Sequence, residues 1–166
     1  DAITTAANNT AVGYQALTAA TTGANNTSIG MNSMAANTTG GSNVAVGGSA
    51  LTANTTASNN TAVGLDALNA YNTALGISAL AANTTASFNT AVGGLALTAN
   101  TTGAENVAVG VNTLDSNTTG ANNTGLGTAA LAANTTASNN TGVGHNALAA
   151  NTTASNNTAV GYQAGY

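Results

Sequence analysis

The chain has 166 residues with no lysine, arginine, cysteine or proline, and its four acidic residues give a formal net charge of −4. Without basic side chains it lacks the electrostatic footprint that phosphate requires, so we expect no binding to nucleic acids or anionic membranes. No apolar run approaches the length of a transmembrane helix, and we expect no membrane insertion. Abundant Asn, Thr, Ser and Gly are typical of disordered chains, but the regular return of Val and Leu indicates a folded repeat.

A glycine recurs every seventeen residues along the chain, with a single interval of twelve. Each glycine ends a variant of the phrase Asn-Asn-Thr-Ala-Val-Gly, which precedes two variable residues, usually Ala-Leu, and a tail related to Asn-Thr-Thr-Ala-Ser. Unit positions are numbered from the first asparagine, so Asn8 is position 1 and Gly13 is position 6. So short a period predicts stacked units that bury one another's apolar faces. We predict one repeat domain over residues 1–166, a segment of a longer fibre, with a shortened coil at 59–70.

Positions 3 to 5 are predicted to form a strand in which positions 3 and 5 share a face. Thr and Val interchange at position 3 while Val, Ile or Leu fills position 5, so we expect that face to be buried inward. Position 4 holds only Ala, Ser or Gly and is expected to pack closely against other chains. On this interpretation Val109→Asp would bury an unpaired charge and destroy assembly. The position 5 column includes Val12, Val46, Val63, Val92, Val109, Val143 and Val160.

Two further columns complete the predicted coil. The glycine at position 6 predicts a bend or a backbone contact too tight for a side chain. That column includes Gly13, Gly47, Gly64, Gly93, Gly110 and Gly144. Position 10 is a second apolar column, which includes Leu17, Leu51, Leu97, Leu131 and Leu148. Two short strands joined by two turns account for one unit, whereas Asn, Thr and the Val-Gly step disfavour a helix.

These columns predict an all-β fold, a parallel β-solenoid or flattened β-roll of ten coils with a seventeen-residue period. At ~4.8 Å per coil the rod would be roughly 45–50 Å long. Each coil contributes only one Val/Leu pair and small residues, which is a thin core for a single chain. We therefore expect the chain to associate with itself as a packed or intertwined homotrimer.

The unit at 59–70 lacks the Asn-Thr-Thr-Ala-Ser tail, and Tyr71 and Phe88 replace the first asparagine of the next two units. Loss of the tail through repeat drift would leave a local kink. A functional joint or a ligand groove is the alternative interpretation. In either case the two aromatic side chains are expected to cover the resulting notch.

The tail itself carries a column of asparagines followed by paired threonines. The asparagines are predicted to form a stacked amide ladder; they are Asn37, Asn54, Asn83, Asn100, Asn117, Asn134 and Asn151. Regular, uncharged threonine columns also suggest an ice-binding (antifreeze) solenoid, although adjacent residues of a strand point to opposite faces. Several Asn-x-Thr sites match the glycosylation acceptor, a match that arises easily in such a composition.

Positions 7 and 8 vary most and are predicted to form an exposed, receptor-facing edge after the tight glycine. Rings and amides on such an edge suit glycans, while a tolerant turn with some apolar packing is the structural alternative. The candidate residues are Tyr14, Gln15, Met31, Asn32, Leu65, Asp66, His145, Asn146, Tyr162 and Gln163.

No enzyme, cofactor or metal site is predicted. Asp66, Glu105 and Asp115 occupy different unit positions, and His145 has no acid, cysteine or second histidine in register. Acid–base catalysis requires such groups to be held together. A three-fold axis would gather three copies of one acid into a cation site, but no other feature favours that arrangement.

The segment 157–164 reads Asn-Thr-Ala-Val-Gly-Tyr-Gln-Ala and resembles the head repeats of trimeric autotransporter adhesins. The version with an Asn-Thr-Thr tail is even more similar to repeats of phage tail-fibre proteins and related bacterial surface proteins. The resemblance implies a left-handed parallel β-roll of three interlocked chains. It also implies an extracellular structural or adhesive role, on a virion tail fibre or a bacterial cell surface. The period is longer than in adhesin heads, and the resemblance is more specific for fold than for function.

Overall fold

The computed structural model describes residues 5–67 and 72–166, and within these ranges the chain forms ten short β-strands and no helix. The strands are β1 (Thr10–Val12), β2 (Thr27–Ile29), β3 (Val44–Val46), β4 (Thr61–Val63), β5 (Thr73–Leu75), β6 (Thr90–Val92), β7 (Val107–Val109), β8 (Thr124–Leu126), β9 (Thr141–Val143) and β10 (Thr158–Val160). They pair in parallel and in sequential order as one ten-stranded sheet. Equivalent unit positions are paired, even across the short unit, where Thr61 lies opposite Thr73. The predicted all-β parallel solenoid is confirmed, and the strand spacing makes it a rod of roughly 45 Å.

The prediction of two strands per coil is wrong for the described residues, because positions 7 to 12 form turns. Positions 8 and 10 adopt a left-handed conformation, as in Gln15 and Leu17, both with φ of 54°. Strands need extended backbone at successive residues, which this conformation prevents. Hydrogen bonds still join the coils here: the Leu17 N–H donates to the Ser33 carbonyl at 2.9 Å, and the Asn32 N–H donates to the Tyr14 carbonyl at 2.8 Å.

The predicted inward orientation of the valine column is also wrong. Val12 and Val160, at the two ends, are 57% and 70% exposed, and Val109 within the stack is 38% exposed. The remaining valines of the column are half-buried; they are Val46, Val63, Val92 and Val143. Ala108, at position 4 beside Val109, has no exposed surface. The strands therefore point positions 3 and 5 outward and the small residue at position 4 inward.

The leucine column is confirmed as the core, and it explains why position 4 is small. Its members are 7% exposed or less; they are Leu17, Leu51, Leu97, Leu131 and Leu148. A Cβ added at Gly142, at position 4 of β9, would lie 3.2 Å from Cγ of Leu131 in the preceding coil. The small column therefore faces the chain's own leucines. The expectation that it packs against other chains is wrong.

The glycine column makes the close backbone contact predicted for it. Gly110 has a φ of 137°, and a Cβ added there would lie 2.6 Å from the carbonyl oxygen of Gly127 in the next coil. At Gly13, Gly47, Gly64, Gly93 and Gly144 the corresponding distance to the next glycine's oxygen is 2.3–2.6 Å. A side chain at any of these positions would push two coils apart, so the glycines set the minimum spacing of the stack.

Two columns of buried asparagine hold each coil to the next. In the predicted ladder, Asn117 Nδ2 donates at 2.9 Å to Asn100 Oδ1 and also to its own coil's Gly120 carbonyl. A second column, at position 2, was not predicted. Its Asn106 donates from Nδ2 to the same Gly120 carbonyl, and its Oδ1 accepts the Asn123 backbone N–H, each at 2.9 Å. The interior is thus half apolar and half a closed amide network, which satisfies polar groups that burial would otherwise penalise.

The shortened unit interrupts only the tail side of the rod. β4 and β5 pair in the common register, although twelve residues rather than seventeen separate them. Leu68 and Tyr71, a predicted column member and a predicted cover of the notch, lie outside the described residues. Phe88, the second predicted cover, has a left-handed φ of 64° and is 69% exposed.

Candidate interaction surfaces

The outward side of the sheet is an apolar stripe that runs the length of the rod. Position 5 supplies Ile29, Leu75, Leu126 and the valines, and position 7 supplies a second row of exposed side chains beside it. Exposed large side chains of these two rows are Val12, Tyr14, Ile29, Met31, Leu65, Leu75, Ile77, Val109, Val111, Leu126, Val160 and Tyr162. No acidic or basic residue occupies position 3 or 5. The term outward stripe is used below for positions 3 and 5 of all coils.

The residues of the predicted receptor-facing edge lie along one side of the outward stripe. At position 7, Tyr14, Met31, Leu65, His145 and Tyr162 are exposed. At position 8 every candidate has a left-handed φ between 52° and 57°, and Gln15, Asp66 and Gln163 are exposed while Asn32 and Asn146 are half-buried. Asn, Asp and related polar residues tolerate this conformation better than most, which accounts for their frequency at position 8.

Because the coils are in register, side chains of one column lie above one another. The His145 and Tyr162 rings, one coil apart at position 7, stack with centroids 5.5 Å apart and planes 17° from parallel. Asn146 and Gln163 follow them in sequence, so a paired ring surface is flanked by amide groups. Rings with nearby hydrogen-bonding groups are a common setting for polar ligands with an apolar face.

The three acidic residues in the described ranges differ in exposure. Glu105 and Asp66 are exposed, whereas Asp115 is half-buried and its Oδ1 accepts no hydrogen bond within the described part of the chain. Burial raises the pKa of the Asp115 carboxyl above its usual range, and hydrogen bonds from the Ser116 and Asp115 backbone and from the Ser116 side chain partly offset that rise. Over residues 5–67 and 72–166 no three His, Cys, Asp or Glu side chains come together as a metal site, and no helix is long and apolar enough to span a membrane.

The paired threonines differ in how their hydroxyl groups are used. Where an intact tail follows, the first of the pair donates to a carbonyl of the next coil, as Thr118 Oγ1 does to Thr135 at 3.1 Å. The second, such as Thr119, is exposed. Only one rank of the pair therefore presents free hydroxyls to solvent. A further threonine rank lies at position 3 of the sheet, as in Thr10 and Thr27.

The outward stripe is the surface that sequence reasoning missed. Thr-Val interchange at position 3 does not establish burial, because it is equally typical of an outward sheet face. The stronger signal was position 4, since a column restricted to small residues is what a narrow interior requires. No protein-family model matches the chain, and no curated protein or solved structure shows a significant match.

Proposed function

We propose that the chain is a non-enzymatic structural segment of an extracellular fibre, in which three copies pack through the outward stripe. The observation that carries this proposal is the stripe itself, an uncharged apolar surface that follows the whole sheet. The strand spacing and the length of three residues make it roughly 45 by 10 Å, or about 450 Å² per copy. This lies within the range of the largest apolar patches of monomers, about 300–600 Å², and is about half of the ~800 Å² per partner of a standard interface.

A second copy of the chain is the partner that matches this surface best. Its side chains repeat with the same strand spacing, so two rods with parallel axes bring apolar rows together along their full length. The stripe contains no charge that would oppose the approach of an identical surface. The number three comes from the resemblance to adhesin heads and tail fibres. The extracellular location, on a virion fibre or a bacterial surface, belongs to the same proposal.

In this arrangement the rod spaces, or itself forms, a region that contacts a cell-surface glycan or receptor. The exposed residues at positions 7 and 8, including the stacked rings of His145 and Tyr162, are the proposed contact edge. Rigidity comes from the continuous backbone ladder and the buried asparagine columns, which give such a spacer a defined length.

The test of assembly uses Val109→Asp, which now places a charge in the outward stripe rather than in the core. Thr119→Asp, at an exposed position of the tail, is the matched control. We expect light scattering to give three times 15.6 kDa for the unaltered chain and for the control. Val109→Asp should give a folded monomer. A monomeric unaltered chain, or a Val109→Asp variant that stays trimeric, would overturn the proposal.

Ice binding is the second candidate, and one observation favours it. The sheet presents a regular outward Thr rank at position 3, next to the Val, Ile or Leu rank at position 5. The paired threonines of the tail support it less, since the first hydroxyl of the pair is bonded to a carbonyl where an intact tail follows. Thermal hysteresis by the isolated chain, lost in Thr90→Glu and kept in Thr119→Glu, would place ice binding above the fibre proposal.

A further inference from the structure

The missing tail of the short unit leaves a notch between the tails of the units before and after it. A cavity of about 330 Å³ lies there. Its walls are Ala53, Asn54, Thr55, Thr56 and Ala57 on one side and Asn83 and Thr84 on the other. The tail of one coil is absent between these walls, so the gap is about one strand layer deep, roughly 4.8 Å. The volume is at the lower end of the ~300–1,000 Å³ typical of ligand pockets.

An uninterrupted tail shows which groups normally form hydrogen bonds between the tails of neighbouring coils. The backbone N–H groups of Thr118 and Thr119 donate to the Thr135 carbonyl of the next coil at 2.8 and 3.3 Å. The Thr118 hydroxyl donates to the same oxygen at 3.1 Å. Three donors of one tail therefore converge on one carbonyl oxygen of the next.

At the notch the same three donors face the cavity. The N–H groups of Thr55 and Thr56 and the Thr55 hydroxyl donate to no acceptor within the described residues. On the opposite wall, the Thr84 carbonyl accepts no hydrogen bond there, unlike the Thr55 and Thr101 carbonyls that end intact layers. The Thr55 and Thr56 donors on one wall and the Thr84 carbonyl on the other therefore lack the hydrogen bonds that the missing tail would form.

A buried side chain supplies one more unused group. Asn54 is 4% exposed and lines the cavity, and its Nδ2 donates to Asn37 Oδ1 at 2.9 Å. In the intact ladder the next asparagine would donate to its Oδ1, as Asn134 does to Asn117. Within the described part of the chain the Asn54 Oδ1 accepts no such bond. This oxygen is open to the cavity and can accept a hydrogen bond from a ligand N–H.

These groups together fit a secondary amide. Its carbonyl oxygen would accept from the Thr55 and Thr56 donors, and its N–H would donate to Asn54 Oδ1 or to the Thr84 carbonyl. No charged side chain lines the cavity, which favours a neutral ligand. The volume suits one small ring with its substituent better than the five residues that the unit lacks. We propose that the notch binds the N-acetyl group of a neutral N-acetylhexosamine, a site that a single copy of the chain provides without assembly.

The test is a titration of the ¹⁵N-labelled full chain followed by amide chemical shifts. N-acetylglucosamine and N-acetylgalactosamine are the probes, and glucose and galactose, which lack the acetamido group, are the matched controls. We expect saturable shifts of the Thr55 and Thr56 amides with at least one N-acetyl sugar and none with the controls. N-acetyl-threonine methylamide separates a sugar site from a peptide site, and tighter binding of this compound than of both N-acetyl sugars would overturn the sugar assignment.

Two variants locate the site. Thr55→Val removes one donor and should weaken binding about tenfold, whereas Thr118→Val, at the same unit position of an intact tail, should leave it unchanged. Insertion of Asn-Thr-Thr-Ala-Ser between Ala70 and Tyr71 restores the regular unit, fills the notch and should abolish binding in a folded rod. Retained binding in the insertion variant, or sugar-induced shifts that avoid Thr55 and Thr56, would overturn the proposal.

Discussion

Ala108 and Val109 are neighbours in β7, yet they lie on opposite sides of the wall that the sheet forms, and each side has its own constraint. On the inner side, Ala108 is fully buried in an interior filled by leucine and asparagine columns. On the outer side, Val109 is 38% exposed and belongs to an apolar row that lies outside the buried core cluster of the described residues. At the inner positions the choice of residue is limited by side-chain size. At the outer positions it is limited only by the surface that the sheet must bind. The two sides are therefore expected to respond differently to similar substitutions.

The largest difference is expected between two glycines that follow strands, one at position 6 and one at position 7. Gly110→Ala would place a Cβ 2.6 Å from the Gly127 backbone at a φ of 137°, and should cost more than about 4 kcal/mol or prevent folding. Gly94→Ala, at position 7, meets nothing within 4 Å and should change the free energy of unfolding by less than about 0.5 kcal/mol. Urea denaturation followed by circular dichroism measures both, and similar losses would contradict the assigned geometry.

The next largest effect is expected in the amide network. Asn117→Ala removes two donated hydrogen bonds and the one that Asn117 accepts from Asn134, which should destabilise the chain by about 3 kcal/mol. Thr119→Ala, two residues later on the exposed side, should cost less than about 0.5 kcal/mol. Hydrogen exchange gives a second readout, because protection should fall in the two flanking coils of the first variant only.

The neighbouring pair itself gives a smaller effect. Ala108→Val overfills the narrow interior and should cost about 1–3 kcal/mol. Val109→Ala, measured in dilute protein where copies are separated, should cost about 0.5 kcal/mol. Denaturant unfolding measures both free energies. If Val109→Ala lost more stability than Ala108→Val, the valine column would have to lie in the interior.

The smallest effect concerns pH. Because burial raises the pKa of Asp115, the folded chain holds this proton more tightly than the unfolded chain does. The resulting stabilisation is complete below the ordinary aspartate pKa of about 3.9 and is lost as pH rises through the raised pKa. Asp115→Asn should abolish this part of the pH dependence, while Asp66→Asn, at an exposed position, should preserve it. Thermal melts across the acidic range that coincide for all three proteins would contradict the inferred role of burial.

Periodicity predicted the stack, the parallel order and the leucine core, because those properties depend only on which residues recur at fixed intervals. It did not determine which face of the strand points inward. Alternation separates position 4 from positions 3 and 5, but the choice of side depends on the interior width that Leu131 and its equivalents leave. The absence of a second strand was equally hidden, since leucine rarely adopts a left-handed φ and Leu17 does so only within the stack.

Periodicity also predicted only part of the candidate surfaces. Variable positions 7 and 8 were recognisable from the repeat, but the open hydrogen bonds at Thr55 and Thr56 follow from what the neighbouring unit lacks. The missing tail indicated a groove without showing which groups would face it. Asn54 belongs to the same predicted ladder as Asn117, and only its place beside the interruption distinguishes it.

The uniform register has a consequence for how two rods align. A shift by one whole coil superimposes nearly every strand residue on its equivalent, so neighbouring copies that pack through the outward stripe would meet similar contacts in many alignments. The twelve-residue unit occurs once in the described chain and breaks this translational equivalence. Copies whose short units lie at the same height match throughout, whereas shifted copies set a coil that lacks its tail beside complete coils. In the proposed assembly the missing tail would therefore distinguish one alignment of the copies from the others.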